Sequence, residues 1–220
     1  MATQSERREA TRSALLGAAV DALLEHGVAG FTTADVVRRA GLSNGALFRY
    51  FPTKADLLAA TVEHVFARLR RDYEEAFESL ATDKRTVEHL VRMLWGAMSD
   101  PALGAAFEVY TAARTDAWMQ AAIEPVMAEH LERLQELSRE LVAQVSGADA
   151  ETVRGAVDLA ILSMQGLALN LMARPDPDAA ERLVTGLVEL ASVMLPPLDG
   201  SADAEPVAAG RAATTPEDDS

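Results

Sequence analysis

Helical periodicity, broken by glycine and proline, is the feature that most limits what this 220-residue chain can fold into. Apolar residues recur at three- and four-residue spacing, while alternating β-branched runs bounded by turns are missing from the sequence. We therefore predict an all-α protein of about nine helices. After Thr86 the periodic segments are 86–99, 102–122, 124–146, 150–173 and 178–195.

The N-terminal part predicts two long helices with two short ones between them. A first helix over about 5–26 ends at His26-Gly27, because glycine adopts the left-handed conformation cheaply, and Phe31 then packs over the two short helices. Thr32 to Asp35 resembles a capping box, Ser43 is a good N-cap, and Gly41 stands between the two short helices. The stretch from Thr53 to Asp56 repeats the capping pattern and starts a helix that runs to about Arg71.

Charge is distributed unevenly along the chain. The formal net charge is −14, but residues 1–60 hold seven Lys/Arg against six Asp/Glu, which is +1, so the other 160 residues carry −15. Residues 36–54 contain no acid and four cations, Arg38, Arg39, Arg49 and Lys54. Such asymmetry predicts one part that approaches an anion and another that avoids it.

Two short helices joined by a glycine turn and flanked by longer helices form a helix-turn-helix, whose second helix fits the major groove of DNA. Helix N-termini present free N–H groups that attract phosphate. Gly45 and Ala46 keep the start of the second helix slim, and Asn44 and Arg49 suit adenine and guanine edges. Arg38 and Arg39 fit a solvated face better than base reading, and Phe48 and Phe51 fit core or edge packing.

The segment FTTADVVRRAGLSNGALFRYFPTKADLL resembles the N-terminal domain of the tetracycline-repressor (TetR) family of bacterial regulators. The resemblance covers residues 8–68, with the helix-turn-helix proper at about 31–50. It implies phosphate contacts from Thr32, Thr33, Ser43, Tyr50 and Lys54. It also implies that five residues face the groove: Asn44, Gly45, Ala46, Phe48 and Arg49. Phe48 stands where family members usually carry tyrosine, so it can pack but cannot donate a hydrogen bond.

The remainder resembles the family only in kind, and implies a regulatory and dimerisation domain over 76–197. Helices 150–173 and 178–195 are apolar nearly all round, which predicts that each packs on its own domain and on a second subunit. The candidate interface residues are Ala160, Gly166, Leu167, Leu171, Leu183, Leu187, Leu190 and Met194. Residues 199–220 hold six acids and one Arg, which predicts a disordered tail.

Large apolar side chains in the middle helices suggest a pocket for a small hydrophobic effector, although ordinary core packing explains any single one of them better. The candidate apolar lining is Trp95, Met98, Phe107, Tyr110, Trp118, Met119, Met127 and Met164. The candidate polar contacts are Arg114, Gln165 and Asn170.

The partners expected are therefore an operator in double-stranded DNA, a second copy of the chain, and an effector. No cofactor or metal is predicted. With no cysteine, no signal-peptide core and an apolar run (156–173) that falls short of a bilayer span, we expect a cytoplasmic protein. The TetR resemblance implies that it is bacterial and nucleoid-associated when bound.

An enzyme is disfavoured, because no phosphate loop or nucleophile elbow is present and the four histidines lack metal-ligand spacing. We expect His64, His89 and His130 on helix surfaces. A dimeric helical protein that kept the fold but lost DNA binding remains an alternative. The sequence does not distinguish a repressor from an activator, although family precedent favours a repressor, and it leaves effector and operator undefined.

Overall fold

The computed structural model describes residues 3–198, so the predicted tail at 199–220 lies outside the described residues. Within this range the chain forms nine α-helices and no strand beyond an isolated bridge between Ser146 and Pro197. The helices are α1 (Gln4–Gly30), α2 (Thr33–Ala40), α3 (Asn44–Tyr50), α4 (Lys54–Glu78), α5 (Val87–Met98), α6 (Pro101–Ala113), α7 (Ala117–Ala143), α8 (Ala150–Ala173) and α9 (Pro177–Met194). The all-α prediction is confirmed.

Side-chain caps start the helices of the N-terminal part. The hydroxyls of Thr32, Ser43 and Thr53 accept hydrogen bonds from the third backbone N–H of α2, α3 and α4. At Thr53 the capping box is complete, because the Asp56 carboxylate accepts from the Thr53 N–H. At Thr32 only half of the predicted box forms, since the Asp35 carboxylate binds arginines instead.

Three predicted boundaries differ in the structure. Gly27 breaks α1 as expected (φ 60°, ψ −177°), but the helix resumes for one more turn to Gly30. Helix α4 continues past Arg71 to Glu78. The predicted break at Pro125 is wrong: this proline lies inside α7, which starts earlier because the Asp116 carboxylate accepts hydrogen bonds from two N–H groups of its first turn.

Helix α4 connects two parts, which we call the head (residues 8–68) and the body (residues 76–197). It packs against α1 at its start and against α5, α6 and α7 further along. Phe31 is buried, as predicted, beside Leu47 and Val36 in the head, and Phe77, Ile161 and Met164 are buried in the body. One continuous apolar core therefore joins the head to the body.

His130 is buried, contrary to the surface position predicted for it. It is 5% exposed and stacks on Phe66 of α4 with 3.6 Å between ring centroids. Burial, and then the charge of Arg70, lower the pKa of His130 to about 4, so the ring is neutral near pH 7. The apolar stripe of α7 explains this position, because His130 lies four residues before buried Leu134 and thus on the same face.

Helix α8 is long and apolar enough, with a mean hydropathy of 1.5 over 18 residues, to span a membrane by length and composition. The prediction that the apolar run 156–173 is too short and too polar for a membrane span is therefore wrong for α8 as a whole, by length and composition. Only 22% of that window is buried inside the subunit, although α8 packs on α5, α6, α7 and α9. The exposed part of α8 includes four large apolar side chains, Leu159, Leu162, Leu169 and Met172.

Candidate nucleic-acid interface

The turn between α2 and α3 fixes the orientation of α3, the second helix of the predicted helix-turn-helix. Gly41 adopts the left-handed conformation (φ 66°), and the N–H of Leu42 donates to the carbonyl of Val37 at 3.0 Å. Leu47 of α3 is completely buried and Phe51 nearly so. These two side chains pack the inner face of α3 against the core. The burial of Phe51 agrees with the packing predicted for it.

The outer face of α3 is open to solvent. Asn44, Gly45 and Arg49 are exposed, and Phe48 is 46% exposed rather than packed in the core. A methyl group added at Gly45 would meet only the Ser43 hydroxyl, at 3.9 Å, so the fold itself does not require glycine there. The exposed face of α3 therefore begins with the small residue Gly45 and continues with the ring of Phe48 and the charge of Arg49.

Tyr50 lies between two arginines. The guanidinium carbons of Arg49 and Arg8 are 5.7 Å and 5.9 Å from the Tyr50 ring centroid. A groove of about 540 Å³ separates α1 from α3 here, lined by Gln4, Arg7, Arg8, Thr11, Arg49 and Tyr50. The predicted interface did not include the α1 side of this groove. The arginine pair at the start of the chain was the signal available, but nothing local to it indicates that α1 lies beside α3.

The predicted phosphate contacts differ in which hydrogen-bond donor each one has available for an anion. Those of Thr32 and Ser43 each accept one backbone N–H, which leaves the hydroxyl hydrogen able to reach an anion. Thr33 is the first residue of α2, where its backbone N–H is among those without a helical acceptor. The Lys54 ammonium donates to the Phe31 carbonyl at 2.8 Å, so this lysine also ties α4 to the segment before α2.

Arg39 has a structural role that the sequence did not reveal. Its side chain is 19% exposed and bridges the carboxylates of Asp35 and Glu25, each at 2.6 Å, which joins α2 to α1. Hydrogen bonds from Arg39 are the main cause of the lowered pKa of both carboxyl groups. Arg38 also pairs with Asp35 but is well exposed, so the predicted solvated face holds for Arg38 and not for Arg39.

The predicted pocket residues divide into several places in the body. Trp95, Met98 and Phe107 meet in a groove of about 450 Å³ between α1, α5, α6 and α8, which we call the body groove. Tyr110 and Arg114 line a separate groove of about 400 Å³ between α6 and α7. The other candidates lie elsewhere: Met164 is in the core, Met119, Met127 and Gln165 are half-buried, Asn170 is exposed, and Trp118 is 87% exposed.

The predicted interface residues likewise fall into separate environments. Leu187 is buried within its own subunit, and Leu171 lines the body groove. Gly166 and Leu190 are exposed, whereas Ala160, Leu167, Leu183 and Met194 are half-buried. The exposed apolar face of α8 and α9 consists mainly of residues outside the predicted set: Leu159, Leu162, Leu169, Met172 and Val193.

A helix-turn-helix head on a larger helical body defines a DNA-binding transcriptional regulator, not an enzyme. The model of a family described as bacterial regulatory proteins, tetR family, matches residues 15–61, which contain the whole helix-turn-helix. The match supports the TetR family, which is the family that the sequence resemblance predicted.

Relatives match most of the chain in sequence, and solved structures share its fold. An uncharacterized HTH-type transcriptional regulator of Mycobacterium tuberculosis, Rv2912c, is 29% identical over 188 residues, covering 86% of this chain and 96% of the relative. A TetR transcription regulator from Haloarcula marismortui has the same fold, with a TM-score of 0.65, 18% identity and coverage of 85% and 99%. The regulator FadR from Bacillus subtilis, solved in complex with stearoyl-CoA, also has this fold. The TM-score is 0.56 and the identity 17%, and the match covers 81% of this chain and 96% of FadR.

Proposed function

We propose that this protein is a ligand-responsive, sequence-specific repressor. It binds a near-palindromic operator as a homodimer and is released when a small hydrophobic effector occupies the body. The head, residues 8–68, contacts DNA; the body, residues 76–197, dimerises and senses. The protein acts in the bacterial cytoplasm and is associated with the nucleoid while bound.

The exposed outer face of α3 is the observation that supports this function best. Phe48 and Gly45 have no role in the core, yet they stand on a helix held rigidly by Leu47. In the major groove, Asn44 and Arg49 would read base edges, Gly45 and Ala46 would permit close approach, and Phe48 would contact a thymine methyl. Thr32, Thr33, Ser43, Tyr50 and Lys54 would hold phosphates, and Arg8 extends this set onto α1.

The exposed apolar face of α8 and α9 supports dimerisation. Val193 is 83% exposed and Leu162 58% exposed, in a subunit whose other apolar side chains are mostly covered. Pairing α8 and α9 with the same helices of a second copy buries this face in an intersubunit four-helix arrangement. A twofold axis then sets two reading helices about 34–36 Å apart, the spacing of successive major grooves.

The apolar lining of the body supports a hydrophobic effector. FadR from Bacillus subtilis, which shares this fold, was solved in complex with stearoyl-CoA, a ligand with a long apolar chain. In this chain, the effector binds more tightly to a dimer whose two heads do not fit successive major grooves, and it therefore lowers operator affinity. The coupling free energy between effector and operator binding is typically about 1–3 kcal/mol.

Operator binding tests the proposal directly. Palindromic segments upstream of the regulated genes, or sequences selected from a random library, are titrated by fluorescence anisotropy with the wild type and with Asn44→Ala. We expect specific binding by a dimer, a loss of about 5- to 100-fold for Asn44→Ala on the selected site, and little change on random DNA. A wild type that binds selected and random DNA equally well would instead support the regulator-like protein that has lost DNA binding. An increase of transcription on binding would indicate an activator.

A further inference from the structure

The body groove carries one uncompensated charge among apolar walls. Trp95, Met98, Phe107 and Met172 form the walls, and two carboxylates, Asp100 and Glu108, reach the groove. Asp100 is already satisfied: it accepts from the Ala102 N–H at 2.8 Å and pairs with Arg68 at 3.2 Å. Glu108 is exposed at the groove and accepts the Val28 N–H at 2.9 Å, and no lysine, arginine or histidine among residues 3–198 pairs with it.

From this arrangement we infer that the body groove binds an organic cation with an apolar body, and that Glu108 is its charge partner. The inference rests on the proposed function, because it names the effector class and the site of that regulator. An anionic ligand would meet two carboxylates in a body (residues 76–197) that holds nine Lys/Arg against eighteen Asp/Glu, a formal charge of −9. A neutral apolar ligand would gain nothing from the exposed carboxylate of Glu108 and would displace part of the water around it. A cation replaces that water and also interacts favourably with the ring of Trp95.

Glu108 also connects the groove to the head. Gly27 breaks α1, so the N–H of Val28 leaves the helical pattern and donates to Glu108 on α6 instead. A methyl group at Gly27 would lie 2.7 Å from the Glu108 carboxylate oxygen, so glycine is needed for this approach as well as for its φ of 60°. The short turn that Glu108 holds leads directly through Phe31 into α2.

Occupation of the groove and placement of the head therefore compete for one carboxylate. A cation that pairs with Glu108 weakens its bond to the Val28 N–H and loosens the turn that positions α2 and α3. The protein with Glu108 on Val28 is the DNA-binding form, and the protein with Glu108 on the cation is the released form. By linkage, operator DNA weakens cation binding by the same factor that the cation weakens operator binding.

The sequence provides a specific reporter for the groove. The chain has two tryptophans, Trp95 in the groove and Trp118, which is 87% exposed at the start of α7. In a Trp118→Phe background, fluorescence reports Trp95 alone. The probe is benzyltrimethylammonium, and its uncharged carbon isostere, neopentylbenzene, is the ligand control, each titrated up to the solubility of the hydrocarbon.

Two variants separate charge from structure. Glu108→Gln keeps an oxygen that accepts from the Val28 N–H but removes the charge, and Glu132→Gln makes the same charge change on the exposed face of α7. We expect the cation to quench Trp95 and to bind Glu108→Gln about fivefold more weakly, because the ion pair with the exposed carboxylate is lost. Binding to Glu132→Gln should be unchanged. The cation should release operator from the parent and from Glu132→Gln at concentrations that leave Glu108→Gln bound.

The inference is overturned if the hydrocarbon binds as tightly as the cation, if Glu108→Gln binds the cation as tightly as its parent, or if the cation leaves Trp95 unchanged. Operator titration without ligand, run on the same preparations, keeps this failure apart from failure of the proposed function. Intact operator binding without a response to the cation rejects only the groove assignment. Loss of specific operator binding in the ligand-free wild type rejects the repressor itself.

Discussion

The outer face of α3 and the body groove are both exposed, but their charges are opposite and their construction differs. The α3 face belongs to a stretch, residues 36–54, with four cations and no acid. The groove contains the carboxylates of Asp100 and Glu108 in a body of formal charge −9. An anion is thus attracted to one surface and repelled by the other. The comparison indicates that net charge, which alone would argue against DNA binding, matters less than where the charge lies.

The largest expected effect concerns the body. Leu162→Glu places a charge on the exposed face of α8 and should produce monomers, with operator affinity falling by more than about 100-fold because one reading head replaces two. Analytical ultracentrifugation and anisotropy measure the two quantities. Ala143→Glu adds the same charge at the exposed end of α7 and should leave both unchanged. A Leu162→Glu protein that stays dimeric would contradict the assigned interface.

A pair of glycine variants sharpens the comparison within the head. Gly41→Ala forces alanine into a left-handed conformation (φ 66°) and should lower the free energy of unfolding by about 1–2 kcal/mol. Gly45→Ala, in a helix with open space around it, should raise that free energy by up to about 1 kcal/mol. Yet Gly45→Ala should weaken operator binding about tenfold, because the added methyl group separates α3 from the bases. Chemical denaturation and anisotropy provide both readouts.

A Gly45→Ala protein with full operator affinity would show that the start of α3 does not approach DNA closely. Equal losses of stability in the two variants would show that Gly45 serves the fold after all.

A smaller effect should appear in the pH dependence of stability. Arg39 holds the pKa of Glu25 and Asp35 below 4.5 and 3.8, so its stabilising contribution is complete above those values and disappears as pH falls through the lowered ones. Arg39→Met should therefore be less stable than wild type at pH 7, and the difference should shrink by pH 3. Thermal unfolding at several pH values measures this difference.

Arg92→Met on α5 is the matched control in the body. Its partners Glu88 and Glu181 are exposed, so removing it should change stability little at either pH. A difference between Arg39→Met and wild type that stays constant down to pH 3 would contradict the coupling of Arg39 to the two carboxylates.

The two surfaces also differ in how far the sequence predicts them. The α3 face comes from one short segment, and its caps, its turn glycine and Leu47 are local signals. The helix-turn-helix and the outward side of α3 could therefore be predicted from that segment alone. The body groove joins Leu23 to Met172 across four helices, and no local pattern shows which side chains meet there. The contacts of Arg8 with Tyr50, Lys54 with Phe31 and Glu108 with Val28 could not be predicted for the same reason.

Helix ends and helix faces were predictable where one strong local preference acts alone. Asp149 and Asp176 cap α8 and α9 close to the expected positions. The prediction failed at Pro125 because tertiary packing of α7 along α4 outweighs the loss of one helical hydrogen bond. His130 is buried because its position on the apolar stripe of α7 outweighs the usual preference of histidine for partly exposed sites.

The salt dependence of operator affinity tests the DNA-contact assignment most directly. The double variant Arg8→Ala/Lys54→Gln removes two head cations per subunit, whereas Lys84→Gln/Arg133→Ala removes two from the body. For a dimer on its operator, we predict that the first pair flattens the slope of log affinity against log salt by roughly 3.6, at roughly 0.9 per phosphate contact, and that the second pair leaves it unchanged. Equal slopes for wild type and the head variant would contradict phosphate contact by this face.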